Sequence, residues 1–77
     1  MASINLHNFS SFDKDVEVVD AVCNKNLGTT HFSPWDTQSF PMCLNDSDHG
    51  TILYKAVGES GFTEAAFLSD GDTVNIM

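Results

Sequence analysis

Apolar and polar residues alternate with a period of two along much of this chain, the signature of strands with one buried face. In Ser3–Phe9, Ile4 and Leu6 alternate with Asn5 and His7. In Asp15–Cys23, Val16, Val18, Asp20 and Val22 share one face, and Glu17, Val19, Ala21 and Cys23 the other. That segment also fits a helical spacing through Val16, Val19 and Cys23. Four valines in nine residues decide for a strand, because β-branched side chains are stiff in helices and pack well on sheets. Thr37–Leu44 predicts a third strand, and Pro41 inside it demands an edge position or a bulge, since proline donates nothing to a ladder. Thr51–Val57 is the clearest alternation, with Ile52, Tyr54 and Ala56 opposed to Leu53, Lys55 and Val57. Phe62–Leu68 and Thr73–Met77 complete the set. A short helical turn is the alternative for Thr63–Leu68, where Glu, Ala and Leu are good helix formers.

Polar turn clusters separate these segments at Ser10–Lys14, Asn24–Thr30, Ser33–Asp36, Asn45–Gly50, Gly58–Gly61 and Ser69–Asp72. Asp70-Gly71 between two strands reads as a hairpin turn, because that turn needs positive φ and Gly supplies it freely. The pattern predicts an all-β domain: a small antiparallel sandwich or barrel of about six short strands. With 77 residues it is a single domain spanning 1–77, and its core is thin. Domains of this size usually need a staple or a partner subunit. Cys23 and Cys43 supply an even pair, read as one disulfide. Closing that loop stabilises the fold by roughly 3 kcal/mol in the chain-entropy model.

Charge narrows the partners. Eleven acids face three lysines, Lys14, Lys25 and Lys55, and the formal charge is −8. There is no arginine, the side chain best suited to gripping phosphate. Nucleic acid and anionic membrane surfaces are therefore disfavoured. No apolar run approaches the length of a membrane span. Met1-Ala2-Ser3 opens directly into an alternating segment, with no charged and apolar leader in this chain. The disulfide nonetheless points to a secreted, extracellular setting. Two glycosylation sequons, Asn8-Phe9-Ser10 and Asn45-Asp46-Ser47, add only weakly to that, since chance alone supplies roughly one.

Catalytic and metal signatures fail on spacing. Aligning Gly50 with the sixth position of an EF-hand loop puts Asn45, Ser47 and His49 at ligand positions. The twelfth, which needs a bidentate Glu, falls on Ala56. A looser calcium site through Asp46 and Asp48, with Asp70 or Asp72, is the alternative to a self-capped polar turn. His7, His31 and His49 have no zinc-ligand spacing. Gly58-Glu59-Ser60-Gly61 lacks the full G-x-S-x-G spacing and sits in a turn. No metal or cofactor is called for, and the chain reads as a binder rather than an enzyme.

The lone tryptophan lies in His31-Phe32-Ser33-Pro34-Trp35-Asp36, whose Ser, Pro and Asp mark a surface loop. A ring on a loop beside acceptors suits a sugar, with the ring against its apolar face and Asp, Asn or His on its hydroxyls. The alternative is that Trp35 folds back as a lid on the core. The candidate ligand-binding set is Trp35, Asp36 and His31 from one loop, with Asn45, Asp46, Asp48 and His49 from another. If both loops leave from near a Cys23–Cys43 bridge, they face the same end of the sheet. The reading is a lectin-like carbohydrate-binding domain for neutral glycans, associating as a homodimer. A secreted protein-binding domain, whether an enzyme inhibitor, effector or toxin, is the second reading, and a small hydrolase the third.

Overall fold

The computed structural model describes residues 2–76. They form seven strands: β1 Ala2–His7, β2 Lys14–Asp20, β3 Lys25–Phe32, β4 Thr37–Met42, β5 Gly50–Ala56, β6 Thr63–Leu68 and β7 Thr73–Asn75. Two sheets carry them, one in the order β4-β1-β7 and the other β3-β2-β5-β6. The all-β architecture and the Cys23–Cys43 disulfide both hold. Within the expected Thr73–Met77 strand, Met77 lies outside the described residues.

The period-two pattern builds the core. Ile4 and Leu6 of β1, Val16 and Val18 of β2, Ile52 of β5 and Phe40 and Met42 of β4 all point inward. Phe32, Leu68 and Ile76 close it. One close approach joins the sheets at Gly50, which is buried. A Cβ there would meet Met42 Cγ at 2.7 Å and Cε at 3.0 Å, so the β4 side chain occupies the space that any larger residue needs. Pro41 sits on β4, an edge strand, where its missing N–H costs least.

Three expectations change. First, Asn24–Thr30 is not a polar loop. It begins β3, an edge strand that pairs antiparallel with β2 through a tight Ala21–Asn24 turn. Most of β3 is solvent-exposed, and a bulge at Leu27–Gly28 breaks its register with Val18 and Val19. An exposed, bulged edge needs no apolar alternation, so the sequence pattern is silent there. Second, the Asp70-Gly71 turn does not join a hairpin. Gly71 takes φ +86, as the turn chemistry requires, but β6 pairs with β5 while β7 crosses to the other sheet. Ser3 N donates to Asp70 Oδ1 (2.8 Å) and Gly71 N to Ser3 O (2.8 Å), and these bonds fix the crossing. Third, β7 runs parallel to β1, so that sheet is mixed rather than wholly antiparallel.

Asp20 is the one buried carboxylate of β2, in phase with Val16 and Val18. Its Oδ1 accepts from Val22 N (3.0 Å) and Cys23 N (3.3 Å), and its Oδ2 from Cys43 N (2.8 Å). It thus holds together the β2–β3 turn and the end of β4, the same two segments that the disulfide joins with Cα atoms 5.9 Å apart.

Candidate functional site

The Trp35 end of the sandwich is organised by Asn8. Continuing the inward phase of Ile4 and Leu6 one step past β1 brings a polar side chain into the interior, and Asn8 is fully buried. Its Nδ2 donates to Phe12 O (2.7 Å) and Ser33 O (3.0 Å), and its Oδ1 accepts from Ser10 Oγ (2.6 Å). Asn8 N donates to Asp36 O (2.8 Å), and Trp35 N to Ser10 O (3.2 Å). One side chain and two backbone bonds therefore clasp the loop after β1 to the loop before β4. The amide nitrogen that a sequon would glycosylate is fully engaged here, so Asn8 is closed to modification in the folded chain.

That clasp turns two rings outward. Trp35 is 55% exposed and Phe9 59%, with their centroids 5.2 Å apart in an edge-to-face pair. Trp35 does not fold back over the core. Its φ of +62 lies in the left-handed region, which costs a non-glycine residue roughly 1–2 kcal/mol. Such strain persists only where surroundings over-determine it, here the clasp, and it collects at functional sites. The His7 ring stands 5.9 Å from Phe9, and its Nδ1 is bonded to Thr37 Oγ1 (2.6 Å). Asp36 is half-buried. Its Oδ2 accepts from Gln38 Nε2 (3.0 Å), while Oδ1 takes no side-chain partner among the described residues.

Not all of the sequence-derived set gathers here. His31 lies on β3 rather than in a loop, next to the inward-facing Phe32 and so on the outer face of its sheet. Its Nδ1 meets Asp15 at 2.7 Å and its Nε2 meets Asp13 at 3.3 Å. The hydrogen bond to Asp15 raises its pKa above the ordinary 6.5. The charges of Asp15 and Asp13 act in the same direction, and desolvation opposes them. Both ring nitrogens are committed, and among the described residues it is linked to Asp36 through its own carbonyl, which accepts from Gln38 (2.8 Å).

Asn45, Asp46, Asp48 and His49 sit at the opposite end. β1 and β4 pair with His7 opposite Thr37 and Ala2 opposite Met42. The two loops therefore leave opposite ends of β4, roughly 17 Å apart at 3.3 Å per residue. The disulfide is at the Met42 end and cannot bring them together. Asn45 caps its own loop, its Oδ1 accepting from Ser47 N (2.9 Å) and His49 N (3.1 Å). Asp46 and Asp48 do not cluster with Asp70 or Asp72. Among the described residues, the one group of three metal-ligand types in reach of each other is Asp20, Cys23 and Cys43, whose sulfurs are bonded together. Both cysteines being bridged, no thiol nucleophile exists.

Sequence reasoning missed Phe9, whose signal was its phase: it follows His7 on the outward side of β1. It also missed three further exposed apolar side chains, Phe12, Val57 and Phe62. Val57 N donates to Asp15 O (2.9 Å), which places the β5–β6 turn at this end. Comparison with protein-family models, with curated proteins and with solved structures finds no match, so the site is read on its own geometry.

Proposed function

We propose that this domain is a carbohydrate-binding module that recognises neutral glycans at its Trp35 end and performs no catalysis. The observation that carries the reading is the pair of exposed rings, Trp35 and Phe9, held outward on a clasped loop at the expense of a left-handed φ. A rigid exposed ring offers a face for the apolar side of a sugar at little further ordering cost. Asp36, the next residue in that loop, has an Oδ1 without a side-chain partner among the described residues, which supplies an acceptor for a hydroxyl. The net charge of −8 with no arginine supports a neutral ligand at this surface over a phosphorylated one. A disulfide is compatible with an extracellular setting, where glycans are displayed. A shallow site of this kind is weak singly, so pairing of two copies would add avidity on a multivalent surface.

The second reading, docking of a protein partner, is favoured by one observation. Phe9, Phe12, Trp35, Val57 and Phe62 expose large apolar surface around the same end, and aromatics of this kind anchor protein interfaces. The test is titration of neutral mono- and oligosaccharides while following Trp35 fluorescence, with Trp35→Ala and Asp36→Ala alongside. A saturable fluorescence shift in the parent, with an affinity by titration calorimetry that falls about tenfold or more in Trp35→Ala, which keeps no tryptophan to follow, supports the sugar site. Absence of any response across the panel transfers the site to a protein partner.

A further inference from the structure

The two sheets do not match in width, and the mismatch leaves a cavity. The sheet with β6 has four strands, while the opposite sheet has three and ends on the three-residue β7. The inward face of β2, β5 and β6 is therefore incompletely covered where β7 stops. A cavity of about 240 Å³ lies there, lined by Lys14, Val16, Tyr54, Ala56, Glu59, Thr63, Asn75 and Ile76. Its walls follow from register: Val16 pairs with Ala56 across β2–β5, and Tyr54 pairs with Thr63 across β5–β6. Ile76 reaches it from the other side, fixed by its N–H to His7 O (2.9 Å).

Four of these residues bring polar groups that the fold does not use. The Lys14 ammonium, the Tyr54 and Thr63 hydroxyls and the Asn75 amide make no side-chain hydrogen bond or ion pair among the described residues. Glu59 is partly engaged, its Oε1 accepting from Ala56 N (2.9 Å). The contrast with Lys55 is direct: its ammonium is held by Glu17 at 3.3 Å and lies over the Phe62 ring. Thr63, Asn75 and Glu59 are exposed and Lys14 and Tyr54 half-buried, so these groups face the open side of the concavity, and polar side chains converging on an apolar wall are the constitution of a small-molecule site.

We propose that this inter-sheet cavity binds a single carboxylate-bearing sugar ring, such as a hexuronate or a sialate. Lys14, the one cation in the lining, offers the carboxylate a charge-assisted hydrogen bond, which must outweigh repulsion from Glu59, the one carboxylate in the same lining. The groups of Tyr54, Thr63 and Asn75 both donate and accept, which is what ring hydroxyls require. Val16, Ala56 and Ile76 form the wall for the C–H face. The volume falls below the range of roughly 300–1,000 Å³ typical for drug-sized ligands, so the cavity admits one ring and not an extended chain. This site is separate from the Trp35 platform and does not depend on the neutral-glycan reading.

The test is a titration of the labelled protein with glucuronate, N-acetylneuraminate, glucose and acetate, following amide shifts by heteronuclear NMR. The two acidic sugars are expected to move the amides of Lys14, Tyr54, Thr63 and Asn75 saturably, and glucose and acetate to bind at least roughly tenfold more weakly, the value of one charge-assisted bond. Lys14→Gln should weaken the acidic sugars by a similar factor and Trp35→Ala should leave them unchanged. If Lys14→Gln loses its dispersed spectrum, Tyr54→Phe, which removes only a hydroxyl, carries the same expectation with a smaller loss. The proposal is overturned if neither acidic sugar moves those four amides, if glucose or acetate binds equally well, or if affinity survives in folded Lys14→Gln.

Discussion

Asp20→Asn is the sharpest probe of how this fold is held. The substitution keeps the shape of the side chain and exchanges one carboxylate oxygen for an amide NH₂. Oδ1 serves two donors, Val22 N and Cys23 N, so the remaining carbonyl oxygen stays there. The NH₂ then faces Cys43 N, a donor, where Oδ2 now accepts at 2.8 Å, and it also abuts Cys23 Sγ, 3.4 Å from Oδ2. A charge-assisted bond to a backbone N–H is worth roughly 1.5–3 kcal/mol, and two more weaken from charged to neutral. Asp20 is almost wholly buried, so water cannot replace what is lost. The total is about 3 kcal/mol. A domain of this length moves by about 4–8 °C per kcal/mol, so the melting midpoint should fall by on the order of 15 °C. Thermal unfolding followed by circular dichroism under oxidising conditions measures it. The same change in a Cys23→Ser, Cys43→Ser background should cost less than in the parent, because both devices fix the same junction and neighbouring effects do not add. A fall of less than about 3 °C in the disulfide-bonded protein would refute the role given to Asp20.

Three further outcomes follow from particular residues. Phe67 is 82% exposed at φ +57, in the bulge of β6 where Leu68 pairs with Gly50 and Ala65 with Ile52; Phe67→Asn should stabilise the domain by about 1 kcal/mol in urea unfolding by relieving left-handed strain. His31 should titrate above 6.5 by NMR, and Asp15→Asn should bring it down. Because the folded pKa is the raised one, any stability this pair adds is complete below about 6.5 and is lost as pH rises through the folded value. The exposed apolar surface of Phe9, Phe12, Trp35, Val57 and Phe62 should drive self-association, which sedimentation equilibrium at micromolar concentration reads directly, and a strict monomer would remove the dimer from the account.

The elements that were legible in the sequence are those whose burial is one-sided. β1, β2 and β5 each bury alternate residues, and alternation is visible without a structure. β4 was legible for a further reason, since Pro41 required an edge or a bulge, and the strand lies at an edge. β3 was illegible because an exposed edge strand with a bulge has no apolar phase to show. The Asp70-Gly71 turn was legible as a turn and not as a crossing, because local φ requirements say nothing about which sheet the next strand joins. The candidate site divides similarly. Trp35 and Asp36 adjoin in sequence and in space. Asn45, Asp46, Asp48 and His49 were assigned to the same end from the disulfide, yet the β1–β4 register sends them to the other. Asn8, which organises the clasp, carried its signal in its phase with Ile4 and Leu6, a polar residue at an inward position.

The central claim is that the Trp35–Phe9 platform recognises neutral glycans, and a glycan array probed in parallel with the parent protein and with folded Trp35→Ala tests it most directly. The account predicts retention of a defined group of neutral glycans by the parent and loss of that group by Trp35→Ala. Retention unchanged by the substitution, or no neutral glycan retained by the parent at any density, would contradict it.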